Sequence, residues 1–119
     1  MYTADGKTNG PAFSWPDGKR IAVMVTFDYD AEFLRMSRAK SKGTSIGFTD
    51  FSRGQYGPHE GLARCLDMLD TMNIKSTFFV PGAVIETYRD TVEEIHRRGH
   101  ELACHGYQHE SSPELTREE

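Results

Sequence analysis

A chain of 119 residues with 37% hydrophobic content is the size of one domain, long enough to bury one core but not two. Its formal charge of -4 argues against a nucleic-acid partner, which would require a basic stripe, while seven Phe, five Tyr and one Trp are too many for a disordered chain. No apolar stretch approaches the ~20 residues that span a bilayer and "MYTADGKTNG" lacks a signal-type apolar region, so no membrane partner is expected. Cys65 and Cys104 make no disulfide framework, which points to a reducing, cytoplasmic location.

Residues 1–18 ("TNGPAFSWPDG" within them) read as an irregular lead-in in which Phe13 and Trp15 cover one end of the fold, and residues 19–119 as the domain proper. "RIAVMVTF" is a continuous apolar run with β-branched residues, suited to a strand buried on both faces of a parallel sheet. From Phe33 to Gly57 the chain turns polar and rich in Gly and Ser, predicting a long loop with one helical turn near "EFLRMSRA". Leu62, Cys65, Leu66, Leu69 and Met72 then form a helical stripe. "KSTFFVPG" reads as a second buried strand. "YRDTVEEIHRRGH" is a second amphipathic helix with Tyr88, Val92 and Ile95 on one face and Gly99 as its stop. "ELACHGYQH" is a third strand running into polar residues, and "SSPELTREE" the cap and opening turn of a third helix.

Strands alternating with helices predict an α/β fold with a parallel sheet and right-handed crossovers. Three strands make a poor sheet, so the chain reads as the N-terminal part of a larger barrel or sheet. In such folds active sites gather at the carboxyl ends of strands. The first strand ends in Asp28-Tyr29-Asp30, whose two carboxylates project to one face and repel unless one is protonated or a cation sits between them. The third ends in His105-Gly106-Tyr107-Gln108-His109, where a helical turn would bring both imidazoles to one side. One carboxylate and two imidazoles are a common ligand set for catalytic zinc and related ions, with a second carboxylate free to act as base. Either pair alone is more often a solvated turn; it is their joint occurrence at two strand ends that favours a metal. Cys104 allows a rival structural zinc site, although its strand position points into the barrel wall. His59, His96 and His100 read as ordinary, and Glu32 as a loop residue that at most supports the ligands. Arg35, Arg38, Lys40, Lys42 and Arg53 face a single acid, Asp50, between residues 33 and 58. A solvated, mobile loop is the simpler account of them, and recognition of an anionic substrate or a neighbouring subunit the other.

"VTFDYD", "STFFVPG" and "RRGHELACHGYQH", in that order and spacing, resemble the polysaccharide deacetylase family, the homology domain of chitooligosaccharide deacetylases, over roughly residues 20–119. The resemblance implies the N-terminal portion of a distorted (β/α)7 barrel, here three parallel strands and two to three helices. It implies a hydrolase of non-peptide carbon–nitrogen bonds acting on an N-acetylated glycan such as peptidoglycan or chitin oligomers. Asp28 matches the family's catalytic base; Asp30, His105 and His109 match its ligands for a divalent metal, with zinc the expected ion. Two departures qualify this. Tyr29 separates aspartates that are adjacent in the common form, as in the branch of intracellular peptidoglycan-deacetylase-like proteins and their allantoinase and cyclic-imidase relatives, which keeps a small cyclic amide open as substrate. The family's later motifs, an orienting Arg, aromatic walls and a general-acid His, have no counterpart up to Glu119. The chain is therefore expected to be a piece of a longer protein, or to be completed by another chain or a second copy of itself, and to show little activity alone. The alternative is a non-catalytic binding or assembly protein of the same ancestry.

Overall fold

The computed structural model describes residues 15–110. Three strands, β1 (Thr26–Asp28), β2 (Thr77–Val80) and β3 (Glu101–Cys104), form one parallel sheet in the order β1-β2-β3. The registers pair Thr26 with Thr77 and Thr77 with Glu101. Alternation along each strand divides the sheet into two faces. Phe27, Tyr29, Phe78 and Val80 turn towards the helices, where Phe78 and Val80 are buried and the Phe27 and Phe78 rings stack with centroids 5.0 Å apart. Asp28, Asp30, Phe79 and His105 belong to the opposite face.

The covering layer comes from α3 (Leu62–Met72), α4 (Gly82–Thr87) and α5 (Arg89–Arg97). Leu62, Leu66 and Leu69 of the predicted stripe are buried, as are Val84, Val92 and Ile95, whereas Met72 at the helix end lies in solvent. Asn73 ends α3 in the left-handed conformation (φ 52°), and Gly99 does the same service after α5 (φ 79°). Arg98 ties α5 to α3 by ion pairs to Asp67 and Asp70 at 2.7 and 2.9 Å while also binding Glu94 at 2.7 Å.

Two expectations fail here. The segment read as a long loop holds two helices, α1 (Phe33–Ser41) and α2 (Phe48–Tyr56), the latter continuing through a π turn (Gly57–Gly61) into α3. Its glycines signal something other than a loop. Gly43 stops α1 at φ 66°, and Gly54 lies inside α2 where a Cβ would stand 2.4 Å from the Cα of Glu32, so only glycine permits the contact. The other failure is the apolar run before Asp28. The strand itself is only Thr26–Asp28, and Ile21, Val23 and Met24 are 75%, 83% and 86% exposed. Among the described residues no strand lies against the outer edge of β1, so a sequence composed for burial on two faces is covered on neither at its start. At the N-terminal end Trp15 is 38% exposed, while Phe13 falls outside the described residues. The helix expected at "SSPELTREE" also falls outside them.

Candidate metal centre

The site is assembled from the ends of β1 and β3. Tyr29, between the two aspartates, points into the core at 6% exposure; its backbone N–H donates to Phe79 O at 2.8 Å and its hydroxyl pairs with Thr91 Oγ1 at 2.8 Å. Burial pushes that hydroxyl up to about 12. A buried Tyr29 forces Asp28 and Asp30 to the other face, as strand alternation predicts. The chain then turns sharply through Ala31 in the left-handed region (φ 50°), an unusual conformation for a residue with a Cβ. Glu32 follows, buried at 4% exposure, and the Tyr88 hydroxyl spans both its carboxylate oxygens at 2.9 and 3.0 Å. Glu32 is thus an anchor for the turn that carries Asp30, under the cover of Gly54.

The histidines are not brought together by a helical turn, as their spacing suggested. Gly106 (φ 74°) and His109 (φ 60°) both adopt left-handed backbone, folding residues 105–109 into a tight loop. That loop is held at four points. Gly82 and Ala83 at the start of α4 donate their N–H groups to Gly106 O and Tyr107 O at 3.0 and 2.9 Å. The Tyr107 hydroxyl donates to Glu86 Oε2 at 2.8 Å while its ring covers Gly82, where a Cβ would meet the ring at 2.6 Å. Glu110 Oε2 accepts from the Tyr107 and Gln108 N–H groups at 3.2 and 2.9 Å. From the other side, Ser37 Oγ on α1 donates to His109 O at 2.9 Å.

His105 Nε2 lies 3.5 Å from Asp30 Oδ1 and His109 Nε2 3.7 Å from Asp30 Oδ2, and the two imidazoles meet at right angles with centroids 4.6 Å apart. One donor atom from each residue lies within 4.8 Å of the others. These separations are too long for good hydrogen bonds. They are close to the about 3.3 Å that separates donors placed 2.0–2.1 Å from a tetrahedral ion. Asp30 Oδ1 and His105 Nε2 are moreover buried without a hydrogen-bond partner among the described residues, a costly arrangement for a desolvated carboxylate. Burial pushes the Asp30 carboxyl above its usual range and Asp28 adds to this, while His109, His105 and Arg38 pull the other way. A divalent cation fits these three residues: it would satisfy both orphaned atoms and offset the desolvation of Asp30.

Of the residues singled out from the sequence, Asp30, His105 and His109 converge. Asp28 stands exposed beside them on the same face, outside the cluster but near enough for its charge to act on Asp30. Cys104 is exposed and takes no part. His59 and His96 are exposed. His100 is buried, its Nδ1 accepting the Ser76 N–H at 3.2 Å, so its role is in packing. Ser37, Gly82, Tyr88, Tyr107 and Glu110 were missed. The pattern in Gly82 and Tyr107 could have been suspected from "PGA" after a strand, but the partners of Ser37 and Tyr88 are distant in sequence and carry no local signal.

Comparison with known proteins bears on the fold and the family. The family model for polysaccharide deacetylases matches residues 16–119. A peptidoglycan deacetylase-like protein of Gibberella zeae is 32% identical over 99 residues, which is 82% of this chain and 29% of that protein. The peptidoglycan deacetylase of Helicobacter pylori is 34% identical over 98 residues, 82% of this chain and 32% of the relative. A crystal structure from Mycobacterium smegmatis, assigned to the polysaccharide deacetylases, superposes with a TM-score of 0.77 at 40% identity, over 92% of this chain and 37% of that one. The chain thus spans about a third of the length of the relatives it matches. With its α/β sheet, its strand-end cluster and this match over most of its length, the chain belongs to the polysaccharide deacetylase family.

Proposed function

We propose that the protein carrying this chain is a metal-dependent hydrolase that removes the acetyl group from an N-acetylated glycan, of the kind found in peptidoglycan or chitin oligomers. The observation that carries this reading is the pair of orphaned buried atoms, Asp30 Oδ1 and His105 Nε2, turned together with His109 at the strand ends of a deacetylase fold. Asp30, His105 and His109 would hold the ion, and a set of one oxygen and two nitrogens suits zinc. When bound, such an ion acidifies water and polarises a carbonyl. Asp28, exposed on the same face, takes the proton of the attacking water as its oxygen bonds to the acetyl carbon. The C–N bond then breaks with its electron pair moving to nitrogen, the proton is returned there, and acetate and a free amine leave.

The sheet edges, open among the described residues, and exposed Ile21, Val23 and Met24 support a second proposal, that the chain is covered by a second copy or by further polypeptide in the working enzyme. Sedimentation of the 119-residue chain should show association, and a well-behaved monomer would refute this. Free Cys65 and Cys104 favour a cytoplasmic location, which fractionation of cells would test.

The functional test is acetate release from N-acetylglucosamine oligomers by the zinc-loaded gene product. Asp28→Asn should retain the ion and lower the rate by about 10²–10⁴. Loss of the ion in that variant would make Asp28 a ligand. Ring opening of a small cyclic amide without acetate release would replace the glycan reading with an allantoinase- or imidase-like one. Neither reaction in a folded, zinc-loaded protein would leave a non-catalytic relative.

A further inference from the structure

We propose that the groove between α1 and the histidine loop is an anion subsite that receives a carboxylate carried by the acylated substrate. This rests on the deacetylase reading and goes beyond it by naming a substrate class: N-acylated sugars bearing an acidic substituent. A cavity of about 330 Å³ opens beside His109, lined by Leu34, Ser37, Arg38 and Lys42 of α1 and its C-terminal end and by Glu110. A second, of about 230 Å³, continues from the same Arg38 and Lys42 towards Gly47 and Asp50. The two cations therefore stand where both cavities meet.

Arg38 acts at a distance on Asp30, but neither cation is paired with a neighbouring carboxylate among the described residues. Asp50 takes Arg35 at 3.2 Å and Arg53 at 4.0 Å. The side chains of Arg38 and Lys42 have no hydrogen bond or ion pair among the described residues. Glu110, the carboxylate lining the first cavity, is occupied by the Tyr107 and Gln108 N–H groups. Cations in the last turn of a helix also complement its dipole, and Lys40 does that on another face. That role alone does not require Arg38 and Lys42 to share a cavity with a member of the ligand cluster. Ser37 joins the groove to the site, since its hydroxyl holds the His109 carbonyl. A guanidinium fork beside an ammonium matches a carboxylate in shape and charge, and Leu34 gives the adjoining apolar part a surface to rest on.

The test uses N-acetylmuramic acid and its methyl ester, which share the sugar and the acetamide and differ in the carboxylate's charge. Calorimetry on the zinc-loaded gene product should show the acid binding about tenfold more tightly than the ester, the scale of one charge-assisted hydrogen bond. The preference should shrink with added salt and approach one in the Arg38→Gln/Lys42→Gln double variant. Equal binding of acid and ester, or a preference that survives the double substitution, would overturn the subsite. Acetate release from N-acetylglucosamine oligomers in the same samples judges the reaction separately. Release without acid preference overturns the subsite alone; a preference lost in the double variant, with no release from any sugar, supports the subsite and overturns the deacetylase reading.

Discussion

Phe78 and Phe79 are neighbours in β2, yet Phe78 is 1% exposed beneath the helices while Phe79 sits half-buried on the opposite face, its ring 6.2 Å from that of His105. The same contrast runs across the sheet. On the helix side the strands present Phe27, Tyr29, Phe78 and Val80, and the layer is closed by leucines and β-branched residues whose spacing follows the helical period. On the other side stand Asp28, Asp30, Phe79 and His105, where atoms are desolvated without being paired. The helix side is dry and, His100 Nε2 apart, paired among the described residues; on the other side two unpaired atoms, Asp30 Oδ1 and His105 Nε2, lie together at the strand ends. The site side is shaped by left-handed backbone at Ala31, Gly106 and His109, sparsely populated conformations that the packed surroundings hold in place.

Substitution at the two phenylalanines separates the faces most sharply. Phe78→Ala should cost about 3–5 kcal/mol in denaturant unfolding, and Phe79→Ala about half of that or less. Equal losses would mean that the second face is packed as tightly as the first. The anchor between the faces comes next. Gly54→Ala drives a methyl into the Glu32 backbone and should destabilise by about 1–3 kcal/mol or more. Tyr88→Phe leaves the buried Glu32 carboxylate without its hydroxyl donor and should cost about 1–3 kcal/mol, with weakened zinc binding because Asp30 is two residues away. Unaltered metal affinity in a folded Tyr88→Phe protein would confine Glu32 to a structural role.

The smallest effect is a pH dependence on the dry side. Burial holds His100 below its ordinary 6.5, with Lys75 and Arg98 acting the same way and Asp70 opposing them. As pH falls through the unfolded value of about 6.5, the unfolded chain takes up a proton that folded His100 resists. Stability contributed by neutral His100 is therefore present above that pH and is lost progressively below it. His100→Asn, which can still accept the Ser76 N–H, should flatten the unfolding midpoint between pH 7 and 5 relative to the parent. An unchanged slope would assign the pH response to other groups.

The helix-covered face was legible because its signals are local and periodic. Leu62, Leu66 and Leu69 announce their helix, and Asp28 and Asp30 announce a strand end by lying two apart after an apolar run. The convergence of Asp30, His105 and His109 was legible as well, since all three fall at two strand ends. What the sequence hid depends on distant partners. Gly54 looks like a loop residue until Glu32 is found against it, and Ser37 looks like solvent-facing filler until it is found on the His109 carbonyl. The apolar run Ile21–Val25 misled in the opposite sense, because its composition reports the burial it is made for and says nothing of what covers it.

The central claim is that Asp30, His105 and His109 form one divalent-ion site. Metal analysis after equilibration with zinc and removal of excess should give one ion per chain in the parent protein and none in folded His105→Ala and His109→Ala variants. A stoichiometric ion that persists in both variants, or its absence from the folded parent, would contradict the account.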